Sequence, residues 1–173
     1  MLVRHVPSNH LSHKLSLSGV LIALGVVLSA FYIPIGGAKL FPIQHLINVI
    51  GAILLGPWFA LANAFIISLL RNLMGLGSLL AFPGSMIGAI TAGLFYQKLP
   101  HHRFAALGEL IGTGFIGGIV AAPFAMLLMG KEVGLFFFVI PFAISSFAGA
   151  LIALILFEST ALLSVIRRRK QEL

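Results

Sequence analysis

The sequence contains no cysteine and no aspartate, and it carries little charge of any kind. The absence of cysteine excludes disulfides, thiolate metal sites and thiol nucleophiles. Only 9% of the 173 residues are charged, whereas 60% are hydrophobic, and the mean hydropathy is +1.12. A soluble domain has about 25% charged residues, so this chain could not cover a surface that faces water. The composition therefore predicts an integral membrane protein.

Familiar catalytic and nucleotide-binding patterns are also missing. There is no Gly-x-x-x-x-Gly-Lys-[Ser/Thr] phosphate loop, no His-Glu-x-x-His metal motif and no pair of neighbouring carboxylates. The acidic residues are all glutamates: Glu109, Glu132, Glu158 and Glu172. We therefore expect no enzyme, no metal site and no resident cofactor. If the protein transports a solute against a gradient, the energy would come from another subunit.

Apolar runs divide the chain into six segments, and a helix needs roughly 20 apolar residues to cross the bilayer core. The runs lie at about 15–33, 39–55, 57–73, 79–96, 104–129 and 133–165. The first is too long for a signal-peptide core and has no small-residue cleavage site, so we interpret it as a helix. The sixth is longer than a bilayer crossing, and we expect it to tilt or to project from the membrane.

The predicted fold is an all-α integral membrane protein, a bundle of six transmembrane helices. The bundle covers residues 15–165, between an N-terminal segment 1–14 and a basic tail 166–173. Eight of the eleven lysines and arginines fall in these two end segments and in the loop 97–103; the others are Lys39, Arg71 and Lys131. Because basic residues accumulate in cytoplasmic loops, both termini are predicted to be cytoplasmic. The net charge of +7 therefore reflects topology rather than binding to nucleic acid.

Small residues recur at a spacing of four on several helices, which places them along one helical face. These stripes are Gly84, Gly88 and Ala92; Gly114, Gly118 and Ala122; Ser145, Gly149 and Ala153. We interpret most of them as faces where helices of the bundle pack closely. The stripe of Gly19 and Ala23 is different, because a first helix often lies at the edge of a bundle. These two residues are the best candidates for docking a partner protein.

The stretch 33–48 joins the first two apolar runs through a Pro/Gly turn and then carries polar residues to membrane depth. Gln44, His45 and Asn48 lie within five positions, and their spacing places them along one polar edge of a helix. Polar side chains inside a membrane are costly, so they need partners or a function. We favour a small-molecule site over hydrogen bonding between helices alone. Lys39, at the outer end of the stretch, is interpreted as an interfacial charge.

The predicted topology brings further helix ends to the same outer half of the bundle. Arg71 and Asn72 end the third run, Phe82 and Ser85 begin the fourth, and Phe142 lies early in the sixth. A pocket with aromatic walls and a few hydrogen-bonding groups suits a small neutral or weakly polar ligand. Arg71 is interpreted equally well as a snorkelling interfacial anchor. The glycines of the loop 74–78 would permit that loop to act as a lid.

The other polar residues are interpreted as structural. Asn63, in the middle of the third run, is expected to hydrogen-bond between helices. His101 and His102 are assigned to a solvated loop rather than to a metal site. Glu109 and Glu158 are placed towards the cytoplasmic side, far from the outer polar cluster, so we do not expect a proton relay.

Four motifs resemble one known family. They are the stretch 34–49, Leu55-Gly56-Pro57-Trp58, Leu70-Arg71-Asn72-Leu73 and Ala81-Phe82-Pro83-Gly84-Ser85-Met86. Together they are similar to ThiW, the thiazole-type member of the substrate-binding S components of energy-coupling factor (ECF) vitamin transporters. The resemblance covers roughly residues 15–157. Gly37 stands where the family pattern has a proline, which should loosen the turn without removing a side-chain contact.

The resemblance implies uptake of hydroxyethylthiazole, the thiazole precursor of thiamin, across the plasma membrane of a prokaryote. An S component captures its substrate from outside and associates with a transmembrane coupling subunit and two cytoplasmic ATPases. Family members dock on the coupling subunit through small residues of the first helix, which implies that role for Gly19 and Ala23. This ligand suits the site inferred above from the placement of the residues, and the candidate substrate-binding residues are Gln44, His45, Asn48, Arg71, Asn72, Phe82, Ser85 and Phe142.

Alternatives from the same and from other classes stay open. An S component for another vitamin precursor, such as the pyrimidine half of thiamin, would share every feature of the composition. A stand-alone channel or secondary carrier would transport its solute without partner subunits. A membrane scaffold without a ligand is disfavoured by the concentration of polar residues in the outer half of the bundle.

Overall fold

The computed structural model describes residues 9–35, 38–159 and 164, and in them the chain forms six helices and one short β hairpin. The helices are α1 (Asn9–Val27), α2 (Pro42–Leu55), α3 (Pro57–Leu73), α4 (Ala81–Lys98), α5 (His102–Met129) and α6 (Val139–Glu158). The hairpin pairs β1 (Ile33–Ile35) with β2 (Ala38–Leu40) in antiparallel register. The first residues of the N-terminal segment, the glycine pair at 36–37 and the basic tail 166–173 lie outside the described residues.

Three of the described helices are long and apolar enough to cross a membrane. The first is the segment Leu11–Ala30 of 20 residues, which combines most of α1 with the 3-10 turn that follows it. The other two are α5, with 28 residues, and α6, with 20 residues. Helices α2 and α3 are also apolar but shorter. The all-helical membrane fold is thus confirmed. The six-span count and the cytoplasmic position of both termini stay predictions.

The helix boundaries agree closely with the apolar runs except for α1, α2 and α6. Helix α1 begins at Asn9 rather than near residue 15, and Ile33, the predicted end of the first run, lies in β1. Helix α3 begins at Pro57 and ends at Leu73 as predicted, because proline suits the first turn of a helix. Helix α2 begins only at Pro42, since the preceding residues pair in the hairpin. Helix α6 begins at Val139 rather than near residue 133 and has 20 residues. As described, α6 is thus no longer than a bilayer crossing, and positions 160–163 and 165 of the predicted run lie outside the described residues.

Helix α4 approaches its neighbours closely because glycines line its packing faces. A Cβ added at Gly84 would lie 2.7 Å from the ring of Phe142 in α6, and one at Gly93 would lie 2.5 Å from the Cα of Pro57 in α3. A Cβ at Gly88 would collide with Thr113 in α5. These approaches confirm that the stripe on α4 serves packing within the bundle.

We predict that Gly93→Val lowers the stability of the protein substantially, by about 1–3 kcal/mol or more, because the backbone of Pro57 cannot move aside as a flexible side chain would. The measurement is the thermal unfolding midpoint of the protein purified in detergent. Gly19→Val is the matched control, since a Cβ at Gly19 meets no atom within 4 Å. Equal unfolding midpoints for the two variants would contradict the close packing of α4 on α3.

The middle of α5 is wider than an α-helix. Residues Leu110–Gly117 form a π-helical segment between the α-helical stretches His102–Glu109 and Gly118–Met129. Segments of this kind are rare and occur often at functional sites. In this chain the segment follows directly on Glu109 and contains Thr113, and both side chains are buried.

Candidate functional site

Polar side chains from α2 and α4 form a buried hydrogen-bonded network in the interior of the bundle. Gln44, Asn48 and Ser85 are each no more than 2% exposed. The Nε2 of Gln44 donates to the Oγ of Ser85 at 2.8 Å, and the Nδ2 of Asn48 donates to the backbone oxygen of Ser85 at 3.1 Å. Burial of such groups is tolerated because they satisfy one another.

Glu109 of α5 is the acceptor on which this network converges. Its Oε1 lies 2.8 Å from the Nδ1 of His45 and accepts from the Oγ1 of Thr113 at 2.7 Å and from the Nδ2 of Asn48 at 3.2 Å. The side chain is completely buried. The prediction that Glu109 lies far from the outer polar cluster is therefore wrong.

The reason for this error is the length of α2. With 14 residues and a rise of about 1.5 Å per residue, α2 is only about 21 Å long. His45 lies in its first turn, while Glu109 lies about two turns into α5, which runs in the opposite direction in the predicted topology. Because α2 is so short, a side chain in its first turn can contact a side chain about two turns into the antiparallel α5, as His45 and Glu109 do.

Arg71, at the end of α3, is also part of the interior. Its side chain is 1% exposed, and its Nη1 donates to the Oε1 of Gln44 at 3.0 Å. The guanidinium carbon lies 4.1 Å from the centre of the Phe41 ring, a cation–π distance. Such burial excludes the interpretation of Arg71 as a snorkelling interfacial anchor.

The network connects Arg71 to Glu109 through two amides whose donors all point the same way. Arg71 donates to Gln44, the Nε2 of Gln44 lies 3.4 Å from the Oδ1 of Asn48, and Asn48 donates to Glu109. The amide dipoles therefore align between the positive and the negative group. In a low-dielectric interior, hydrogen bonds in such a chain polarise one another and so become stronger.

A cavity of about 760 Å³ opens beside this network, within the volume range typical of small-molecule sites. Gln44, His45, Arg71 and Ser85 form its polar wall. Aromatic rings also line the cavity, largely from the segment that leads into α6, with one from the residue after the hairpin: Phe41, Phe137, Phe138 and Phe142. The cavity thus combines ring surfaces with a few fixed hydrogen-bonding groups.

The predicted substrate-binding residues do not all reach this cavity. Five of them line it: Gln44, His45, Arg71, Ser85 and Phe142. The remaining three occupy other places in the fold: Asn48, Asn72 and Phe82.

Each of these three has another role in the described structure. Asn48 lies in the network and touches Ser85 and Glu109 rather than the cavity. The Nδ2 of Asn72 donates to the backbone oxygens of Ser68 at 2.8 Å and Ser78 at 3.0 Å, so Asn72 holds the loop after α3. The ring of Phe82 packs 5.7 Å from that of Phe65 between α3 and α4.

Sequence reasoning missed Thr113 and Ser145 as well as the position of Glu109. Glu109 and Thr113 are separated by four positions, which places both on one face of a helix; this spacing was the available signal. The Oγ of Ser145 accepts from the backbone nitrogen of Phe41 at 2.9 Å and so ties the hairpin end to α6. No local pattern indicates a contact between residues so far apart in the chain.

The mouth of the cavity is bordered by the loop 74–78 and by two lysines. Gly75 and Gly77 of this loop line the cavity, and the backbone nitrogen of Gly77 donates to the backbone oxygen of Arg71 at 3.1 Å. Lys39 is exposed, and its Nζ lies 4.5 Å from the centre of the Tyr32 ring. Lys131 is also exposed and lines the cavity. Whether the loop acts as a lid stays a prediction.

The arrangement can bind a small molecule by hydrogen bonds and ring contacts. Within the part of the chain that the structure describes, no three His, Cys, Asp or Glu side chains are grouped as ligands for a metal ion. An apolar helical bundle with a buried polar network that opens onto an aromatic cavity defines a membrane protein that binds a small molecule.

Comparison with protein families makes this class specific. Residues 15–162 match the family described as thiamine-precursor transporter protein (ThiW). The match covers most of the chain, and the chain therefore belongs to the ThiW family. A search of curated proteins finds no match. Membership confirms the resemblance of the four motifs and makes the chain a transporter of a thiamin precursor.

Proposed function

We propose that this chain is the substrate-binding S component of an ECF-type importer in a prokaryotic plasma membrane, with both termini cytoplasmic. It captures hydroxyethylthiazole from outside, and partner subunits drive uptake with ATP. The observation that carries the proposal is the cavity, whose lining combines the polar side chains of Gln44, His45 and Ser85 with the aromatic ring of Phe142. A thiamin-precursor transporter needs such a site within the membrane-embedded chain itself.

The chemistry of the cavity suits a small aromatic ring with one ring nitrogen and one hydroxyl. The Nδ1 of His45 is engaged by Glu109 at 2.8 Å, which leaves Nε2 as the ring nitrogen available to a ligand. Ser85 and Gln44 supply further hydrogen-bonding groups on the same wall. Phe138 and Phe142 offer ring faces or edges against which a thiazole can stack.

The identity of the precursor is tested by ligand binding to the protein purified in detergent. Hydroxyethylthiazole and the pyrimidine precursor of thiamin are titrated separately, with thermal stabilisation and a binding isotherm as readouts, since a ligand that binds the folded state raises its stability. We expect the thiazole to bind and the pyrimidine to bind far more weakly. The reverse order would identify the chain as an S component for the pyrimidine instead.

The mode of transport is tested in liposomes. An S component is expected to accumulate the thiazole only when the coupling subunit, both ATPases and ATP are present. Uptake by this chain alone at the same rate would contradict the proposal and favour a stand-alone channel or secondary carrier.

Gly19 and Ala23 are proposed to dock on the coupling subunit. Both are exposed on α1, and a Cβ at Gly19 would meet no atom of the described chain within 4 Å. A face of small residues lets another helix approach the backbone closely in lipid. The face is therefore available to a helix of another subunit.

We predict that Gly19→Val abolishes co-purification with the coupling subunit while the affinity for the thiazole stays unchanged, because the added methyl groups keep the partner helix at a distance. Pull-down from membranes and a binding isotherm measure the two effects. Gly134→Val is the control, since a Cβ there also meets nothing within 4 Å but the residue lies in the loop before α6. Unimpaired co-purification of the Gly19 variant would place the docking face elsewhere.

A further inference from the structure

We infer that the cavity prefers acidic relatives of hydroxyethylthiazole to the neutral alcohol itself, and that their phosphate ester or carboxylate group is bound by Arg71. The inference rests on the proposed function and narrows the substrate class of the same cavity. It is carried by the unpaired charge of Arg71, by the geometry of its free donors and by the charges at the cavity mouth.

Arg71 is a buried cation for which the described part of the chain supplies no counter-ion. Among the described residues, its guanidinium donates one hydrogen bond, to the neutral amide of Gln44, while Nε and Nη2 are buried and have no partner. The ion pairs that the structure shows use Glu109 and Glu158, with histidines or Arg103 as their partners. An unpaired charge inside a membrane protein is costly, so it marks a functional position.

The free donors of Arg71 have the geometry of an anion clamp. In a planar guanidinium, the Nε–H and one Nη2–H lie side by side along one edge and match the two oxygens of a carboxylate or phosphate. Phe41 packs on the guanidinium at 4.1 Å, and Gln44 engages Nη1 at 3.0 Å. These two contacts hold the plane of the group, so the paired donors are oriented before a ligand arrives.

The charged residues that line the cavity all have the same sign. They are Lys39, Arg71 and Lys131, and no acidic side chain lines the cavity in the described residues. Both lysines are exposed at the mouth, where their field attracts anions and repels cations. The volume of about 760 Å³ also leaves room for an acidic group beyond one small ring with a two-carbon side chain.

The test compares ligands that differ only in charge, using the full chain purified in detergent. The probes are hydroxyethylthiazole, its phosphate monoester, a thiazole acetic acid and inorganic phosphate alone. We expect at least one of the two acidic thiazoles to bind about tenfold or more tightly than the neutral alcohol, because hydrogen bonds to charged groups are the stronger ones. The two acids distinguish a phosphate from a carboxylate substrate, and weaker binding of inorganic phosphate shows that the ring contributes.

The outcomes separate this inference from the proposed function. If the neutral alcohol binds as tightly as both acids, or more tightly, the inference is overturned and the thiazole site stands. If inorganic phosphate alone binds as tightly as the acids, the cavity is a general anion site and the acidic thiazole is overturned. If no thiazole binds, the proposed function falls and this inference falls with it.

Variants test the role of Arg71 itself. Arg71→Gln is expected to remove the preference for the acid, whereas Lys98→Gln, which removes the same charge at an exposed position outside the cavity, is expected to retain it. The exposed pair Lys39→Gln and Lys131→Gln provides a second variant whose folding is not at risk. It is expected to weaken acid binding several-fold and to reduce its salt dependence. If the acid preference persists both in Arg71→Gln and in the variant that combines Lys39→Gln with Lys131→Gln, the assignment of Arg71 is contradicted.

Discussion

Replacement of Glu109 with alanine is expected to destabilise the protein by about 3–5 kcal/mol, the loss found when one partner of a buried charged network is removed. The carboxylate is completely buried and accepts from three side chains: His45, Asn48 and Thr113. Without it, those three buried side chains lose their shared acceptor. It is also the last acceptor of the hydrogen-bonded chain that runs from Arg71 through Gln44 and Asn48.

The measurement is the free energy of unfolding in detergent micelles, supported by the thermal unfolding midpoint. Glu158→Ala is the matched control, because Glu158 is exposed and pairs with Arg103 at 2.8 Å on the surface, where ion pairs contribute little. Glu109→Gln retains one oxygen acceptor and should lose less stability than Glu109→Ala. Equal stability for the Glu109 and Glu158 alanine variants would show that the buried network contributes nothing to the fold.

Replacement of His45 with alanine is expected to lower the affinity for the thiazole by about tenfold to a hundredfold, the range for a lost hydrogen bond in a buried site. His45 lines the cavity, and its contact with Glu109 at 2.8 Å fixes Nδ1 as the inward-facing nitrogen. A ligand that meets Nε2 therefore encounters a ring whose orientation is already set, and it does not have to order the side chain on binding.

The measurement is the dissociation constant of the thiazole for the variant that remains folded, as judged by its unfolding midpoint. Asn63→Ala is the control: Asn63 is equally buried but lies in α3 and does not line the cavity. Asn48→Ala should weaken binding less than His45→Ala, because Asn48 acts through Ser85 and Glu109. If His45→Ala binds the thiazole as tightly as the unaltered protein, the proposed site is wrong.

Some features of the fold follow from local sequence because they depend on local chemistry. Gly56-Pro57 separates α2 from α3 at the predicted residue, since glycine there adopts a φ of 91° and proline opens the next helix. Gly130, with a φ of 62°, ends α5 in the same way. The segment 133–138 is as apolar as a helix but is not part of α6, so composition alone misplaced that boundary.

The amino-acid sequence by itself determined the class of the protein, its helices and half of the polar wall. Low charge and long apolar runs require a membrane, and the spacing of Gln44, His45 and Asn48 gathers them on one helix whatever surrounds it.

The tertiary structure decided which of the remaining polar groups meet. It brought Glu109 to His45, buried Arg71 against Phe41, and directed Asn72 and Phe82 away from the cavity. The physical reason is that depth and direction of a side chain depend on how long each helix is and how closely glycines let its neighbours approach. Those quantities are properties of the packed bundle rather than of any one segment.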